Sequence, residues 1–143
     1  MILLDTNILS ELMRPAPEMG VEQWLADQPD ASVFISAITE AELRYGVALL
    51  PGGKRQSALA KVIEDMLGED FTGRILPFDS AAAVAFAEIV ATRRQAGRPI
   101  AQADAQIAAI ARSRGAALAT RNVPDFDGCG IDVVNPWTEA ESN

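Results

Sequence analysis

The chain begins with a short apolar run, MILL, that Asp5 closes. The run is too short for a stable helix, and its unbroken apolar character is typical of a strand buried on both faces. Strands of this kind form open α/β sheets, which bind ligands in a crevice outside the carboxyl ends of their strands. The run therefore predicts an α/β fold in which Asp5 lies at the ligand-binding edge of the sheet.

The rest of the chain alternates short apolar runs with longer segments whose apolar residues recur at helical spacing. Strands are predicted over residues 32–35, 74–78, 116–119 and 131–134, and helices over 7–13, 18–27, 36–50, 56–67, 81–95 and 101–113. This alternation is typical of a mainly parallel sheet flanked by helices. Because parallel strands end at a common edge, residues that follow the other strands can lie beside Asp5.

Composition narrows the chemistry of this single-domain-sized chain of 143 residues, which lacks histidine and has one cysteine, Cys129. Without histidine there is no Ser-His-Asp or Cys-His nucleophile and no His-ligated zinc. One thiol forms neither an internal disulfide nor a cysteine-rich metal site. Hydrolytic chemistry is left mostly to carboxylates, which prefer hard cations such as Mg²⁺ or Mn²⁺.

Charge and hydropathy set further expectations. A net charge of −8 argues against broad electrostatic binding of nucleic acid. Six arginines of the C-terminal half are expected mostly on solvated helix faces, with a few able to hold phosphates: Arg93, Arg94, Arg98, Arg112, Arg114 and Arg121. No apolar stretch has the roughly 18 residues of a membrane span, and the first residues do not resemble a signal peptide. We therefore expect a cytoplasmic protein.

Three more acids follow predicted strands or begin a predicted helix near the same edge as Asp5. Glu42 lies in the helix after the second strand, Asp104 lies early in the helix at 101–113, and Asp125 follows the next strand. If the four carboxylates converge, their mutual repulsion raises the pKa of at least one of them and destabilises the charged site. Bound divalent cations remove this repulsion. Such a site suits displacement at phosphorus by activated water.

Each of these three acids also has an ordinary structural interpretation. Thr39 and Glu42 fit a capping box, in which a glutamate reaches back to the first amide of its helix. Asp104 fits an acid favoured by the dipole at a helix N-terminus, and Asp125 fits a turn former. These interpretations stay open for each acid taken alone, and the four acids together favour the metal site.

Two alternative functions also stay open. The run Asp5-Thr6-Asn7 is similar to phosphatases that use an aspartate nucleophile after the first strand, although their second acid is replaced by Asn7. A small-molecule phosphohydrolase with Asp5 as nucleophile is therefore one alternative. The other is a binding module without catalysis. Phosphate-loop and dinucleotide-binding glycine motifs do not occur in the sequence.

Four segments, in order and at matching separations, resemble the PIN-domain ribonucleases, and most closely the VapC toxins of the FitB-like group. They are LLDTN at 3–7, SAITEAEL at 36–43, ADAQI at 103–107, and ATRN at 119–122 with Asp125 and Phe126. The resemblance also includes the closing VNPW at 134–137. The resemblance spans almost the whole chain. It implies a single PIN-like domain over residues 1–137, an α/β/α arrangement of a short-stranded sheet between helices, followed by a polar tail at 138–143.

The resemblance also implies an activity and a set of site residues. The activity is that of a Mg²⁺- or Mn²⁺-dependent endoribonuclease, the toxin of a type II VapBC-like toxin–antitoxin system. The catalytic and metal-binding acids would be Asp5, Glu42, Asp104 and Asp125, and the supporting polar groups would be Thr6, Asn7 and Thr120. Asp127 is the alternative to Asp125 as the fourth of these acids.

Partners follow from the same resemblance. RNA would be the substrate, and a VapB-like antitoxin would inhibit the enzyme by laying a peptide into its groove. A homodimer, or a larger assembly with the antitoxin, is expected, with the helices at 36–50 and 56–67 as the contact surface if they do not serve core packing alone. Arg44 and Arg121 are predicted to hold phosphates that flank the cleavage point.

Overall fold

The computed structural model describes residues 1–141, and within them it contains one five-stranded parallel sheet. The strands are β1 (Ile2–Leu4), β2 (Val33–Ser36), β3 (Ile75–Leu76), β4 (Ala117–Ala119) and β5 (Val133–Val134). Their order across the sheet is β3-β2-β1-β4-β5, with every neighbouring pair parallel. The predicted α/β fold is confirmed. β3 and β5 are shorter than predicted. Each lies at an edge of the sheet and pairs with only one neighbouring strand.

Helices connect the strands and cover both faces of the sheet. They are α1 (Thr6–Leu12), α2 (Met19–Ala26), α3 (Ala37–Ala48), α4 (Lys54–Asp65), α5 (Ser80–Gln95), α6 (Gln102–Arg114) and α7 (Pro136–Glu141). α4 continues into a π-helical turn at Met66–Asp70, and a 3₁₀ turn at Val123–Phe126 follows β4. The helices predicted within residues 7–113 are all present, with ends that differ by a few residues.

The central strand explains why the sheet needs helices on both faces. Leu3 and Leu4 of β1 are both fully buried, although successive side chains of a strand point to opposite faces. Leu3 packs in a cluster with Ile107 and Ile110 of α6, whereas Leu4 packs in a second cluster with Ile8 of α1. The apolar run at the start of the chain is therefore a strand buried on both faces, as predicted.

The same strand brings the predicted site residues to one edge. Leu4 pairs with Ala119, and the amide of Asp5 donates to the Ala119 carbonyl at 2.9 Å. Asp5 therefore lies beside Thr120, which follows β4. β2 ends at Ser36, next to β1 on the other side. Residues that are more than a hundred positions apart in sequence thus meet where three strands end.

One local prediction is wrong: Thr39 is not the N-cap of α3, and Glu42 does not complete a capping box. Ser36 is the N-cap, and its hydroxyl accepts a hydrogen bond from the amide of Thr39 at 3.0 Å. The helix begins directly at the end of β2, three residues earlier than the capping box requires, which places Glu42 in its second turn. The Glu42 side chain is therefore free of a capping role.

The C-terminal segment also forms regular structure. α7 covers residues 136–141 and packs against α2, so the first part of the predicted tail is helical, while residues 142 and 143 lie outside the described residues. Across the described part of the chain, no helix is both long and apolar enough to cross a bilayer.

Candidate active site

An open pocket of about 580 Å³ lies at the carboxyl edge of the sheet. Asp5, Glu42 and Asp104, three of the four predicted acids, line this pocket, and they come from the end of β1, from α3 and from α6. Thr6 and Asn7, at the start of α1, line it as well. The topology thus brings together acids that are 37 and 62 positions apart in sequence.

Asp5 is the buried acid of this pocket, with 5 % of its surface exposed. Its Oδ1 accepts a hydrogen bond from the backbone amide of Thr6 at 2.8 Å. Its Oδ2 accepts hydrogen bonds from the Thr120 hydroxyl at 2.7 Å and from the side-chain amide of Asn7 at 3.4 Å. Burial raises the pKa of Asp5, hydrogen bonds from Thr120 and Thr6 oppose the rise, and the charge of Asp125 adds to it. The carboxylate is therefore held in one orientation by three donors.

The three predicted polar groups all contact the acids or one another. The Thr6 hydroxyl donates to Oε1 of Glu42 at 2.7 Å. The Asn7 side chain donates to the Thr120 hydroxyl at 3.2 Å and accepts the amide of Arg121 at 3.3 Å. These bonds connect the beginning of α1 with α3 and with the loop after β4, so the positions of Asp5 and Glu42 are coupled through neutral side chains.

Asp104 shows that the four acids share one electrostatic environment. It lies in the first turn of α6 and is half-buried. Burial, followed by the charges of Asp5, Asp125 and Glu42, raises its pKa to about 6, while Arg93 acts in the opposite direction. A carboxyl group whose pKa is raised by burial and by neighbouring acids is typical of functional sites.

Asp125 and Asp127 differ in their surroundings. Asp125 lies in the 3₁₀ turn after β4, is exposed and does not line the pocket, yet its charge raises the pKa of both Asp5 and Asp104. Oδ2 of Asp127 lies 3.5 Å from Nη1 of Arg98 in an exposed ion pair. Of the two candidates for the fourth acid, Asp125 is therefore the one that acts on the other acids.

The donor set fits a hard divalent cation, because it consists of carboxylates whose mutual repulsion a cation would relieve. The carboxylates are too far apart to form a complete coordination site. Among the described residues, no three acidic, histidine or cysteine side chains are grouped closely enough to hold an ion as they stand.

Two arginines line the pocket, and one of them was missed by sequence reasoning. The Arg121 guanidinium lies over the Trp137 ring, 4.9 Å from its centroid. Arg14, the arginine that was missed, has a side chain that is 63 % exposed. Its Nη1 bonds both carboxylate oxygens of Glu11, a side chain only 5 % exposed, at 2.9 Å for Oε2 and 3.2 Å for Oε1. The signal was available: Asn7 and Glu11 are four positions apart in α1, and Arg14 follows Glu11 by three positions, just past the helix C-cap Met13.

Two other arginines lie elsewhere than expected. Arg44 is on α3, where its Nε bonds Glu40 at 2.9 Å and its Nη1 pairs with Glu64 of α4, so it is not part of the pocket wall. Its predicted role as a phosphate contact stays a prediction that this position does not support, because Arg44 lies outside the pocket wall and pairs with one carboxylate on its own helix and one on α4. Arg93 is not on a solvated face, since it is 7 % exposed.

Comparison with known proteins extends the similarity to the whole chain. A model of the PIN domain matches residues 2–126. VapC ribonuclease Y4jK of Sinorhizobium fredii is 40% identical over 140 residues, covering 98% of this chain and 100% of that protein. Toxin FitB of Neisseria gonorrhoeae is 44% identical over 137 residues, covering 96% of this chain and 99% of that protein.

A solved structure extends this similarity to three dimensions. FitAB bound to an IR36 DNA fragment matches with a TM-score of 0.90 at 44% identity, and the match covers 96% of each chain. The sheet order and the helices on both faces therefore belong to a known architecture.

Proposed function

Because this chain belongs to the PIN-domain family, we propose that it is an endoribonuclease and the toxin of a VapBC-like toxin–antitoxin pair. Its relatives include a protein named VapC ribonuclease and another named toxin FitB, and the matched structure is a FitAB complex on DNA. The catalytic residues in this proposal are Asp5, Glu42, Asp104 and Asp125. The partner is a VapB-like antitoxin, and the substrate is RNA.

One observation carries the assignment of the active site. Four acids from four separate elements act on one another at the sheet edge, and their charges add to the effect of burial, so that together they raise the pKa of Asp104 to about 6. A fold optimised for stability alone gains nothing from collecting like charges, since each repels the others. The collected charge therefore supports a site whose function is to attract cations.

We assign Mg²⁺ or Mn²⁺ to these acids. When bound, such an ion lowers the pKa of water and offsets the charge that develops on the scissile phosphate. The chain supplies orientation: Thr120 and Asn7 hold the carboxylate of Asp5, and the Thr6 hydroxyl holds that of Glu42. In this assignment Glu42 binds the metal or aligns the attacking water.

Substrate binding is assigned to the two arginines of the pocket. Arg14 and Arg121 place positive charge beside an acidic centre, which suits phosphates on either side of the cleaved one. Both are held in place, Arg14 by Glu11 and Arg121 by the face of Trp137. Two localised phosphate contacts are compatible with a net charge of −8, which does not favour a broad nucleic-acid surface.

The test is cleavage of a labelled RNA by the purified chain with Mg²⁺ or Mn²⁺, repeated with excess chelator. We expect activity to require the ion and to be lost in Asp5→Asn and Asp104→Asn. Asp127→Asn is the matched control, because it removes the same charge two positions from Asp125 and should stay active. Cleavage in chelator, or in both site variants, would refute the proposal, and a phosphoaspartate at Asp5 would favour the phosphohydrolase alternative.

Exposed apolar side chains support the proposed contact surface for a second copy and for the antitoxin. Tyr45 of α3 and Leu49, the C-cap of that helix, are 65% and 66% exposed, and Val62 of the adjoining α4 is 49% exposed. Exposed apolar groups on two helices that pack against each other favour an interface. Tyr45→Glu should therefore lower the mass measured by light scattering to that of a monomer, and a dimer of unchanged affinity would rule out this surface.

A further inference from the structure

Arg93 joins the end of α5 to the loop that carries Asp125. Its Nε donates to the Arg98 carbonyl at 2.7 Å, and its Nη1 donates to the carbonyls of Asp125 and Asp127 at 2.8 and 2.9 Å. Nη1 also lies 3.7 Å from Sγ of Cys129. The acceptors are thus three main-chain carbonyls and a thiol, and two of the carbonyls belong to the segment around the fourth acid.

A buried guanidinium in this setting is informative because burial of a charge costs several kcal/mol unless good hydrogen bonds compensate for it. The planar fork of arginine presents donors in a fixed geometry, so it fixes the relative positions of the groups that accept from it. The loop also bends around this side chain: Gly128 and Gly130 have φ of 74° and 75°, and a Cβ on Gly128 would lie 3.8 Å from Cδ of Arg93.

From this geometry we infer that Arg93 is a positioning residue, which fixes the Asp125 loop so that the carboxylate of Asp125 stays within reach of the other three acids. The inference rests on the proposed function, since it assigns Arg93 to the same metal site. Arg93 itself does not line the pocket, and it bonds the main-chain carbonyls of Asp125 and Asp127 rather than their carboxylates. Its positioning effect therefore passes through the main chain of the loop, separate from the effect of its charge on Asp104, which Arg93→Lys keeps.

The experiment measures Mn²⁺ affinity by isothermal titration calorimetry in the wild type, Arg93→Lys and Arg93→Gln. Loss of a residue that orients a metal ligand typically weakens metal binding by about 10-fold to 100-fold. We expect a loss of this size in both variants, because an ammonium group keeps the charge but does not hold the Arg98 carbonyl and the two loop carbonyls through two nitrogens in a fixed geometry, as Nε and Nη1 do. Arg98→Gln is the matched control: it removes an exposed arginine that pairs with Asp127 in the same loop, and it should bind Mn²⁺ as the wild type does.

A double-mutant cycle separates positioning from a general loss of structure. If Arg93 acts through Asp125, Arg93→Lys should weaken Mn²⁺ binding in the wild type but cause no further loss in an Asp125→Asn background. Circular dichroism and a thermal melt establish that each variant is folded at the temperature of the binding measurement. If Arg93→Gln does not fold, the result with Arg93→Lys decides the test.

The outcomes distinguish this inference from the proposed function. Wild-type Mn²⁺ affinity in Arg93→Lys would overturn the inference, because charge alone would then suffice. Fully additive losses in the double variant would also overturn it, because Arg93 would then act independently of Asp125. Absence of Mn²⁺ binding by the wild type would instead overturn the metal site and, with it, the role of Arg93.

Discussion

Asp104→Asn should stabilise the metal-free protein while it abolishes cleavage. The folded-state pKa of Asp104, about 6, lies above its usual value of 3.8 because of burial and the charges of Asp5, Asp125 and Glu42. Between these two values the folded state keeps a proton that the unfolded state releases, so folding stability falls as the pH rises. Above about pH 6 the full penalty is present, and an asparagine removes it.

The magnitude follows from the same two values. At about 1.4 kcal/mol per pKa unit, the difference between 3.8 and about 6 sets a ceiling of about 3 kcal/mol. Asp104 is only half-buried, and solvent screening reduces the interaction of its charge with the other acids. We therefore expect Asp104→Asn to gain about 1 kcal/mol at pH 7.5, which for a chain of this size corresponds to about 3 °C in Tm.

The assay is thermal unfolding of wild type and Asp104→Asn in excess chelator at pH 7.5 and at pH 4.5. The gain should be largest at pH 7.5 and should shrink at pH 4.5, where wild-type Asp104 is mostly protonated in the folded state. Asp127→Asn serves as the control for loss of one negative charge. An equal gain at both pH values, or a loss of stability at pH 7.5, would refute the reasoning that burial and the neighbouring acids destabilise the charged form of Asp104 in the folded protein.

Three further outcomes are expected. Thr120→Val removes the 2.7 Å hydrogen bond to buried Asp5 and should cost about 1–3 kcal/mol in the urea-derived free energy of unfolding, with weaker Mn²⁺ binding in calorimetry; an unchanged stability would exclude an orienting role for this hydroxyl. Arg14→Gln and Arg121→Gln should each raise KM for RNA more than they lower kcat, and each should reduce the slope of log affinity against log salt by about 0.7; an unchanged slope would rule out a phosphate contact. Addition of Mg²⁺ should raise the Tm of the wild type but not that of Asp5→Asn, by preferential binding to the folded state; an equal rise in both would remove Asp5 from the metal site.

Much of the fold was predictable because it depends on short-range patterns. The apolar run that ends at Leu4 and the alternation of strands and helices were sufficient to place Asp5 at the edge of a parallel sheet. The same alternation placed Glu42 and Asp104 near that edge, and the resemblance added that they would act with Asp5 as one set of metal-binding acids. The structure brings these three acids to one pocket.

The capping-box prediction shows where local sequence rules fail. Thr39 and Glu42 have the right spacing, but Ser36 stands at the end of β2 and caps the helix first. The strand fixes where the helix can begin, so tertiary structure decides between two acceptable local caps. The result frees the Glu42 carboxylate to accept the hydrogen bond from Thr6 on another element, which no local rule could predict.

Arg44 and Arg93 show why a charged residue on a helix must be read against the apolar stripe. Arg44 has a carboxylate four positions earlier, so its ion pair with Glu40 is readable from the sequence. Arg93 continues the buried stripe of α5 formed by Ala82, Ala85 and Ile89. A charge in register with buried positions must be compensated inside the protein, and near a helix end the available acceptors are the carbonyls of adjoining loops. The helical spacing would therefore have indicated that Arg93 is buried, against the solvated face expected for it, but only the structure reveals that the loop it bonds carries Asp125.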